Sequence, residues 1–403
     1  MNRIVLIISL CAALSFTGTR LSAKPKVRAS AESPADSMAV KLMDAGFLNV
    51  RSASTADFRA YSLETDYYKL PVEGLAEVRR MVELADDGTD MRPVKVVATY
   101  YDVPELTMTY NPRNGLWYST KRLDGSWDAL KETEKLNSNF GKVTIAVYPQ
   151  VSLKNLIINQ VYQSLWRLSP ALEVSLWPGM KLTYQVAIPI YNDGYGSLES
   201  RVHPQMVSVS QRFRDPWNLN VFGKLTAGTF SGNTYGIAME MIYYFPNERF
   251  SVDTQFGMIG NSYWEGFIFH YDKRLRFRWN LAANYYWPEQ NTQFTLRAQR
   301  FMYGDLGVKY EMIRHFRRTS IGFYAEKSFY APLNVGFRFQ IALPPFRQKR
   351  HGSWPKVTTS GQMGMSYNAN NERYYYHEFR TEASDNILSK NYFNPLFIDS
   401  KLK

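Results

Sequence analysis

Arg274, Arg276 and Arg278 stand at every second position beside Leu275, Phe277 and Trp279. In an extended strand successive side chains point to opposite faces, so the three guanidinium groups share one face and the apolar groups the other. Arg297 between Leu296 and Ala298, Arg338 between Phe337 and Phe339, and Lys224 and Lys309 repeat the arrangement. A row of cations on regular strands attracts anionic groups, whether of a solute or of a polymer. These seven residues are the candidate contacts for an anion or an acidic glycan. The structural alternative is equally concrete: Glu240, Glu311 and Glu326 lie in the same region and can pair with the cations to fill a narrow interior.

Other chemistries find little support. The histidines, His203, His270, His315, His351 and His377, stand at no metal-ligand spacing such as HExxH. Asp86, Asp87 and Asp90 lie close together, but an acidic turn after a helix accounts for them. Ser208 and Ser210, with His203 nearby in sequence, would be the material of a serine site; serines on the polar face of a strand are the plainer reading. The expectation is no catalytic residue, no metal and no cofactor. The formal charge of +12 also raises nucleic-acid binding. The basic residues sit in strands, and no recognition helix or zinc-finger spacing accompanies them, so nucleic acid is not expected as a partner.

The elements that carry the cations read as long strands. Leu275–Tyr285 alternates without a break, and so does Tyr235–Phe245, which Pro246 and Asn247 end. Both have period 2, and their length matches the roughly 9–11 residues of a tilted membrane-crossing strand. Similar segments recur from Ala171 onward, with weaker candidates at Gln362–Tyr367 and Tyr374–Phe379. The sum is about 12 strands, within a range of 10 to 14. Pro189 falls inside one of them and predicts a bulge or an early end.

Alternation alone does not separate a soluble sandwich from a membrane barrel. Aromatic residues at the segment ends, 15% aromatics overall and the N-terminal sequence favour the barrel. That N-terminus has Arg3, an apolar run from Ile4 to Phe16 and a small-residue site near Ala23, the pattern of a secretory signal peptide over residues 1–23. Cys11, the only cysteine, lies within it; a lipid anchor there is disfavoured by the bulky residues preceding it. Apart from the leader there is no apolar run long enough for a helical span.

Residues 24–35 read as a disordered lead-in and 36–110 as a small α/β domain. The clearest helix opens at Pro71, with Val72, Leu75, Val78 and Val82 on one face. The element order is α-β-β-α-β-β. Residues 111–165 read as a linker with one strand and a short helix, and 166–397 as the barrel. Phe346–Lys356 is a basic loop, suited to lipid head groups or to solvent. The fold expected is a transmembrane antiparallel β-barrel preceded by a small periplasmic α/β domain.

The stretch Leu42–Val50 (LMDAGFLNV), the strand ending near Glu64 and the helix with Pro71 and Leu75 resemble the YjbH-like family of outer-membrane exopolysaccharide proteins. So do Gly304–Lys309 (GDLGVK), Phe323–Ala325 and Gly336–Leu343 (GFRFQIAL). Members are often longer, with more than one small domain. The resemblance implies a non-enzymatic component of extracellular polysaccharide export or assembly in the outer membrane. It implies outer-membrane lipid, an anionic polysaccharide and a periplasmic or outer-membrane export protein as partners. Two alternatives stand beside it: a membrane anchor whose small domain binds a partner protein, and an outer-membrane enzyme acting on lipid or glycan.

Overall fold

A computed structural model describes residues 36–155, 162–352, 354–368, 377–383 and 393–402. The leader, the lead-in and Cys11 lie outside them.

The first described region is a five-stranded sheet in the order β1 (Leu48–Ser54), β2 (Arg59–Glu64), β3 (Val94–Tyr100), β4 (Val103–Asn111), β5 (Leu116–Thr120). Helix α1 (Ser37–Asp44) ends at Gly46, whose φ of +93° is one that a glycine adopts without steric cost. Helix α2 (Pro71–Ala85) joins the parallel pair β2–β3 and starts with proline in its first turn, where the missing N–H costs nothing. Its Gly74 is required by packing: a Cβ there would lie 2.6 Å from Thr65 Cγ2. Leu42, Leu63, Leu75, Val78, Val96 and Leu106 form the core between helices and sheet. The short helix α3 (Ser126–Lys131) closes the other face through Leu130 against Ala60 and Val97. The small region therefore extends beyond residue 110. β5 belongs to its sheet, and α3 lies in the stretch read as a linker.

Two buried ionic features pin this region. Arg51 makes a two-pronged bond to Asp102 at 2.7 and 3.0 Å, and Lys135 reaches the same carboxylate at 2.6 Å. Glu64 accepts hydrogen bonds from Asn49 Nδ2 at 2.7 Å, the Asp102 amide at 3.1 Å and Asn139 Nδ2. Burial nevertheless dominates and pushes the Glu64 carboxyl up to about 7.

The second sheet follows in chain order: β6 (Val143–Asn155), β7 (Tyr162–Trp177), β8 (Met180–Asn192), β9 (His203–Arg214), β10 (Val221–Phe230), β11 (Thr234–Tyr244) and β12 (Phe250–Glu265). It continues with β14 (Arg276–Trp287), β15 (Thr292–Arg300), β16 (Leu306–His315), β17 (Thr319–Ser328), β18 (Asn334–Ala342) and β20 (Gln362–Asn368). Each pairs antiparallel with the next. The short β13 (Ile268–Tyr271) folds back on the end of β12. β19 (Lys356–Thr359) pairs in parallel with β6, and only Ser360 and Gly361 separate it from β20, which pairs with β18. The amide of Ser360 donates to Val147 of β6, and Gly361 accepts from Leu343 just after β18. One short segment thus bonds to both the first and the last strand of the meander.

Two readings change here. The short helix placed before residue 165 is strand on either side of residues 156–161, as β6 and β7. Their alternation has period 2: in β7 Trp166, Leu168 and Leu172 are exposed, and Leu165, Ser169 and Ala171 are buried. The second sheet therefore begins at residue 143 rather than 166. Pro189 does carry a bulge: Arg167 pairs with Pro189 while Trp166 pairs with Tyr191, leaving Ile190 over.

The faces of this sheet are the reverse of a soluble core. Leu281, Leu296 and Phe323 are 50%, 59% and 57% exposed. Lys224, Arg278 and Lys309 are 5%, 3% and 3% exposed. Thr183, Gln185, Ser208, Thr226, Asn284 and Gln340 are buried with them. Apolar side chains face outward and polar ones inward.

Candidate functional site

The inward face encloses a piece of the chain itself. Residues 377–383 run among the buried polar side chains of the second sheet. The amide of Met302 donates to the His377 carbonyl, Ser231 donates to the Arg380 carbonyl at 3.1 Å, and the Arg380 amide donates to Ser231 Oγ at 2.8 Å. Gln185 Nε2 donates to the Ala383 carbonyl at 2.9 Å. The weak strand expected at Tyr374–Phe379 lies partly outside the described residues; His377–Phe379 are not strand but part of this inner segment.

Its two carboxylates occupy two cationic sites. Glu382 Oε1 accepts from Lys224 Nζ at 2.7 Å and Arg212 Nη2 at 3.1 Å, and Oε2 accepts from Lys181 Nζ at 3.1 Å. These three cations come from β10, β9 and β8, adjacent strands whose register places the groups side by side. Thr381 Oγ1 adds a bond from Lys224 at 2.9 Å and donates to Glu240. Glu378 Oε1 accepts from Lys309 Nζ at 3.0 Å and from Gln299 Nε2 at 2.8 Å. Lys309 also faces Glu326 at 3.5 Å, and Arg338 faces Glu311 at 3.4 Å. Buried ions of this kind persist only when paired, because removing a charge from water costs several kcal/mol.

Around the segment lies a cavity of about 480 Å³, lined by Arg212, Lys224, Arg278, Arg297, Arg338 and Glu240 among others. The small α/β region lies at one end of it through Glu105 and Lys121. Lys121 Nζ sits over the rings of Phe222 and Tyr244, and burial lowers its pKa to about 8 against the pull of Glu105, 3.5 Å away. The Lys121 amide and Thr120 hydroxyl donate to Glu248 in the β11–β12 turn. Gly179 in the β7–β8 turn donates to the Tyr101 carbonyl at 2.6 Å, and Arg318 pairs with Glu73 of α2 at 2.7 Å. Helix α4 (Pro395–Leu402) completes the junction, with Phe397 and Ile398 in the small region's core. In the basic loop Phe346–Lys356, Arg350 and Lys356 pair with Asp66 at 3.3 and 3.5 Å, while Trp354 is exposed.

Of the seven cations singled out in the sequence, Lys224, Arg278, Arg297 and Arg338 line the cavity, and Lys309 reaches Glu378. Arg297 approaches Asp253 at 3.9 Å. Arg278 lies apart from the two carboxylates. It donates through Nη2 to the Met302 carbonyl, and its buried Nε and Nη1 have no hydrogen-bond partner. Arg276 is half-buried on the same side. Arg274 precedes β14 and is exposed, so it does not join the group; the strand begins one residue later than the alternation suggested. Lys181 and Arg212 were not singled out, although both stand on the polar side of strands visible in the sequence. Glu378 and Glu382 gave no signal, because their partners are set by tertiary folding.

The other candidates do not converge. Ser208 and Ser210 face inward on β9, and His203, whose Nδ1 meets the Arg201 carbonyl at 2.8 Å, is five residues from the nearer one, about 17 Å along a strand. Asp86 accepts from the Tyr110 hydroxyl, Asp87 from Thr89, and Asp90 from Arg92. Among the described residues no group of three or more His, Cys, Asp or Glu could hold a metal ion.

No protein-family model and no curated protein matches the chain. Among solved structures, a mutant of the Rh. blastica porin is 9% identical, with 50% of this chain and 90% of that one covered at a TM-score of 0.30. In-vitro folded OmpT, an outer membrane protein of Vibrio cholerae, is 8% identical over 52% and 85%, with a TM-score of 0.27.

Proposed function

We propose that the second sheet is a closed outer-membrane β-barrel whose cationic lumen serves the export or assembly of an acidic extracellular polysaccharide. The reversal of faces carries the reading: no soluble core explains lysines buried inside a sheet whose outside is Leu, Phe and Val. A cation on the outer face would cost ~2–4 kcal/mol at mid-membrane, which is why the cations point inward.

Closure of the sheet through the β19–β20 segment gives thirteen strands, β6 to β12, β14 to β18, and β20. An odd number leaves the first and last strands running the same way, in keeping with the parallel pairing of β19 with β6. Aromatic side chains suit the two membrane interfaces. Trp166 and Trp177 are exposed on one strand, about 36 Å apart along it, or roughly 25 Å along the axis of a barrel with strands tilted near 45°. The ring pairs Tyr243–Phe245 and Phe250–Tyr285 make one aromatic zone at the end bearing the small region. Tyr235, Phe269 and Tyr271 form another at the far end. Short turns mark the periplasmic side of such barrels. The tight Pro178–Gly179 turn lies at the small region, and the longer Asp193–Val202 and β13 excursions lie opposite, so the small region is periplasmic in this reading.

Density-gradient fractionation and heat-modifiable gel mobility test the membrane location, and acidic surface glycan in a deletion strain tests the role. Fractionation with outer membrane and loss of the glycan are expected; unchanged surface glycan rejects the export function. One observation favours a second reading. The interior is occupied by residues 377–383, which suits a barrel that only anchors the small region. In that case the deletion would be complemented by the small region attached to an unrelated anchor.

A further inference from the structure

We infer that the Lys181–Arg212–Lys224 and Lys309–Gln299 groups are carboxylate-binding subsites for a linear polyuronate, and that residues 377–383 are a built-in competitor occupying both. The inference rests on the polysaccharide reading above and adds the ligand sites and their regulation.

The chemistry of the sites is written by their present occupants. Each holds one carboxylate of the segment, Glu382 between three cations and Glu378 between an ammonium and an amide, while Glu173, Glu240 and Glu326 of the sheet approach Lys181, Lys224 and Lys309 at 3.7, 3.2 and 3.5 Å. The two carboxylates are four residues apart, so an extended chain spaces them by at most about 14 Å. That is a chain presenting carboxylates at intervals along one line, which is also the description of a polymer of uronic acid residues. One apolar contact holds the middle of the segment: between the glutamates, Phe379 stacks on Phe230 at 5.8 Å, while Arg380 and Thr381 are held by hydrogen bonds. Exchange of one carboxylate for another leaves the cations paired throughout, which avoids the cost of an uncompensated buried charge. Arg278 supplies a further polar surface in the same cavity, with buried Nε and Nη1 lacking protein partners.

The test uses the full chain purified in detergent and in planar bilayers, with polygalacturonate as probe and polyglutamate as comparison. Glu378→Gln with Glu382→Gln should raise polygalacturonate affinity about tenfold or more, since each lost charge-assisted bond to the competitor is worth at least about one power of ten. Bilayer conductance of this variant should rise and favour anions. Lys224→Gln with Lys309→Gln should abolish the binding. Ser231→Cys with Arg380→Cys, at positions joined by one backbone–backbone bond and one bond from the Arg380 amide to the Ser231 hydroxyl, should lock the segment when oxidised and abolish polygalacturonate binding, with recovery on reduction. Heat-modifiable mobility reports folding of each variant. Equal affinity and conductance in wild type and the glutamine variant would overturn the competitor while leaving the export reading intact. A glutamine variant that conducts but binds polyglutamate in place of polygalacturonate would overturn the glycan subsites and the export reading together.

Discussion

The two regions of this chain use side-chain alternation to opposite ends. In the small α/β region Leu63 and Leu75 are fully buried, and the charged residues of α2, such as Arg80 and Glu77, lie on its outer side. In the second sheet Leu281, Leu296 and Phe323 are outside, and Lys224 and Lys309 are among the most buried groups. Period 2 specifies a strand; it does not say which face is wet. What decides is the object each face packs against. The small sheet is covered by helices that offer Leu and Val, whereas the large one meets Glu378 and Glu382 on its inner face and has Leu281, Leu296 and Phe323 exposed on its outer face.

The contrast can be broken most forcefully inside the small region, at the buried Arg51–Asp102 pair. Asp102→Asn keeps a residue suited to the positive φ of 64° but strips the charge facing Arg51 and Lys135. Breaking such a pair costs about 3–5 kcal/mol, and the low end is expected because the amide still accepts one bond. Denaturant-induced release of the small region, followed by limited proteolysis of the full chain, should show the loss; an unchanged midpoint would mean the pair contributes nothing. On the large sheet the sensitive face is the opposite one. Leu296→Arg should cost ~2–4 kcal/mol for the barrel reconstituted in lipid vesicles and unfolded by denaturant. A cost near zero would place that face in water and end the membrane reading.

The extended period of the large sheet was legible because strands carry it locally. Tyr235–Phe245 and Leu275–Tyr285 could be bounded to within a residue or two, and Pro189 announced its bulge. The candidate site was legible only in part. Arg297, Lys309, Arg338 and Lys224 stood out because an apolar neighbour on each side marked them as inward. Lys181 and Arg212 carried the same mark in weaker surroundings, beside Met180 and Leu182, and beside Phe213. The carboxylates that meet them could not be read, since nothing local to Glu382 says that it will cross to a cation two hundred residues earlier. Likewise β5 and α3 follow a polar, glycine-containing stretch whose composition resembles a linker. Only the pairing of Leu116–Thr120 with β4 reveals that the small region continues.

A gentler test sharpens the account of the small region. The Glu64 carboxyl is raised to about 7 by burial, so the folded chain holds a proton there that the unfolded chain, titrating near 4.5, has released. Stability from this group is complete below pH 4.5 and declines as pH rises through about 7, by on the order of 3 kcal/mol. Unfolding midpoints at pH 5 and pH 8 should differ accordingly for wild type, and the difference should shrink in Glu64→Gln. The same slope in both proteins would assign the pH dependence elsewhere.

The smallest effect is the informative partner of the largest one in lipid. Leu84, near the end of α2, is 73% exposed, more than Leu296. If exposure were the whole story, Leu296→Arg would cost as little as Leu84→Arg, since both leucines are more than half exposed. In water an exposed leucine gains little from its surroundings and an arginine is solvated at once, so the change should lie within about 0.5 kcal/mol. The matched pair Leu84→Arg and Leu296→Arg, measured on the same reconstituted protein, therefore compares two leucines that differ only in what lies beyond them. Equal effects would make the two outer surfaces equivalent; a near-zero effect at Leu84 beside a loss of several kcal/mol at Leu296 is what water on one and lipid on the other requires.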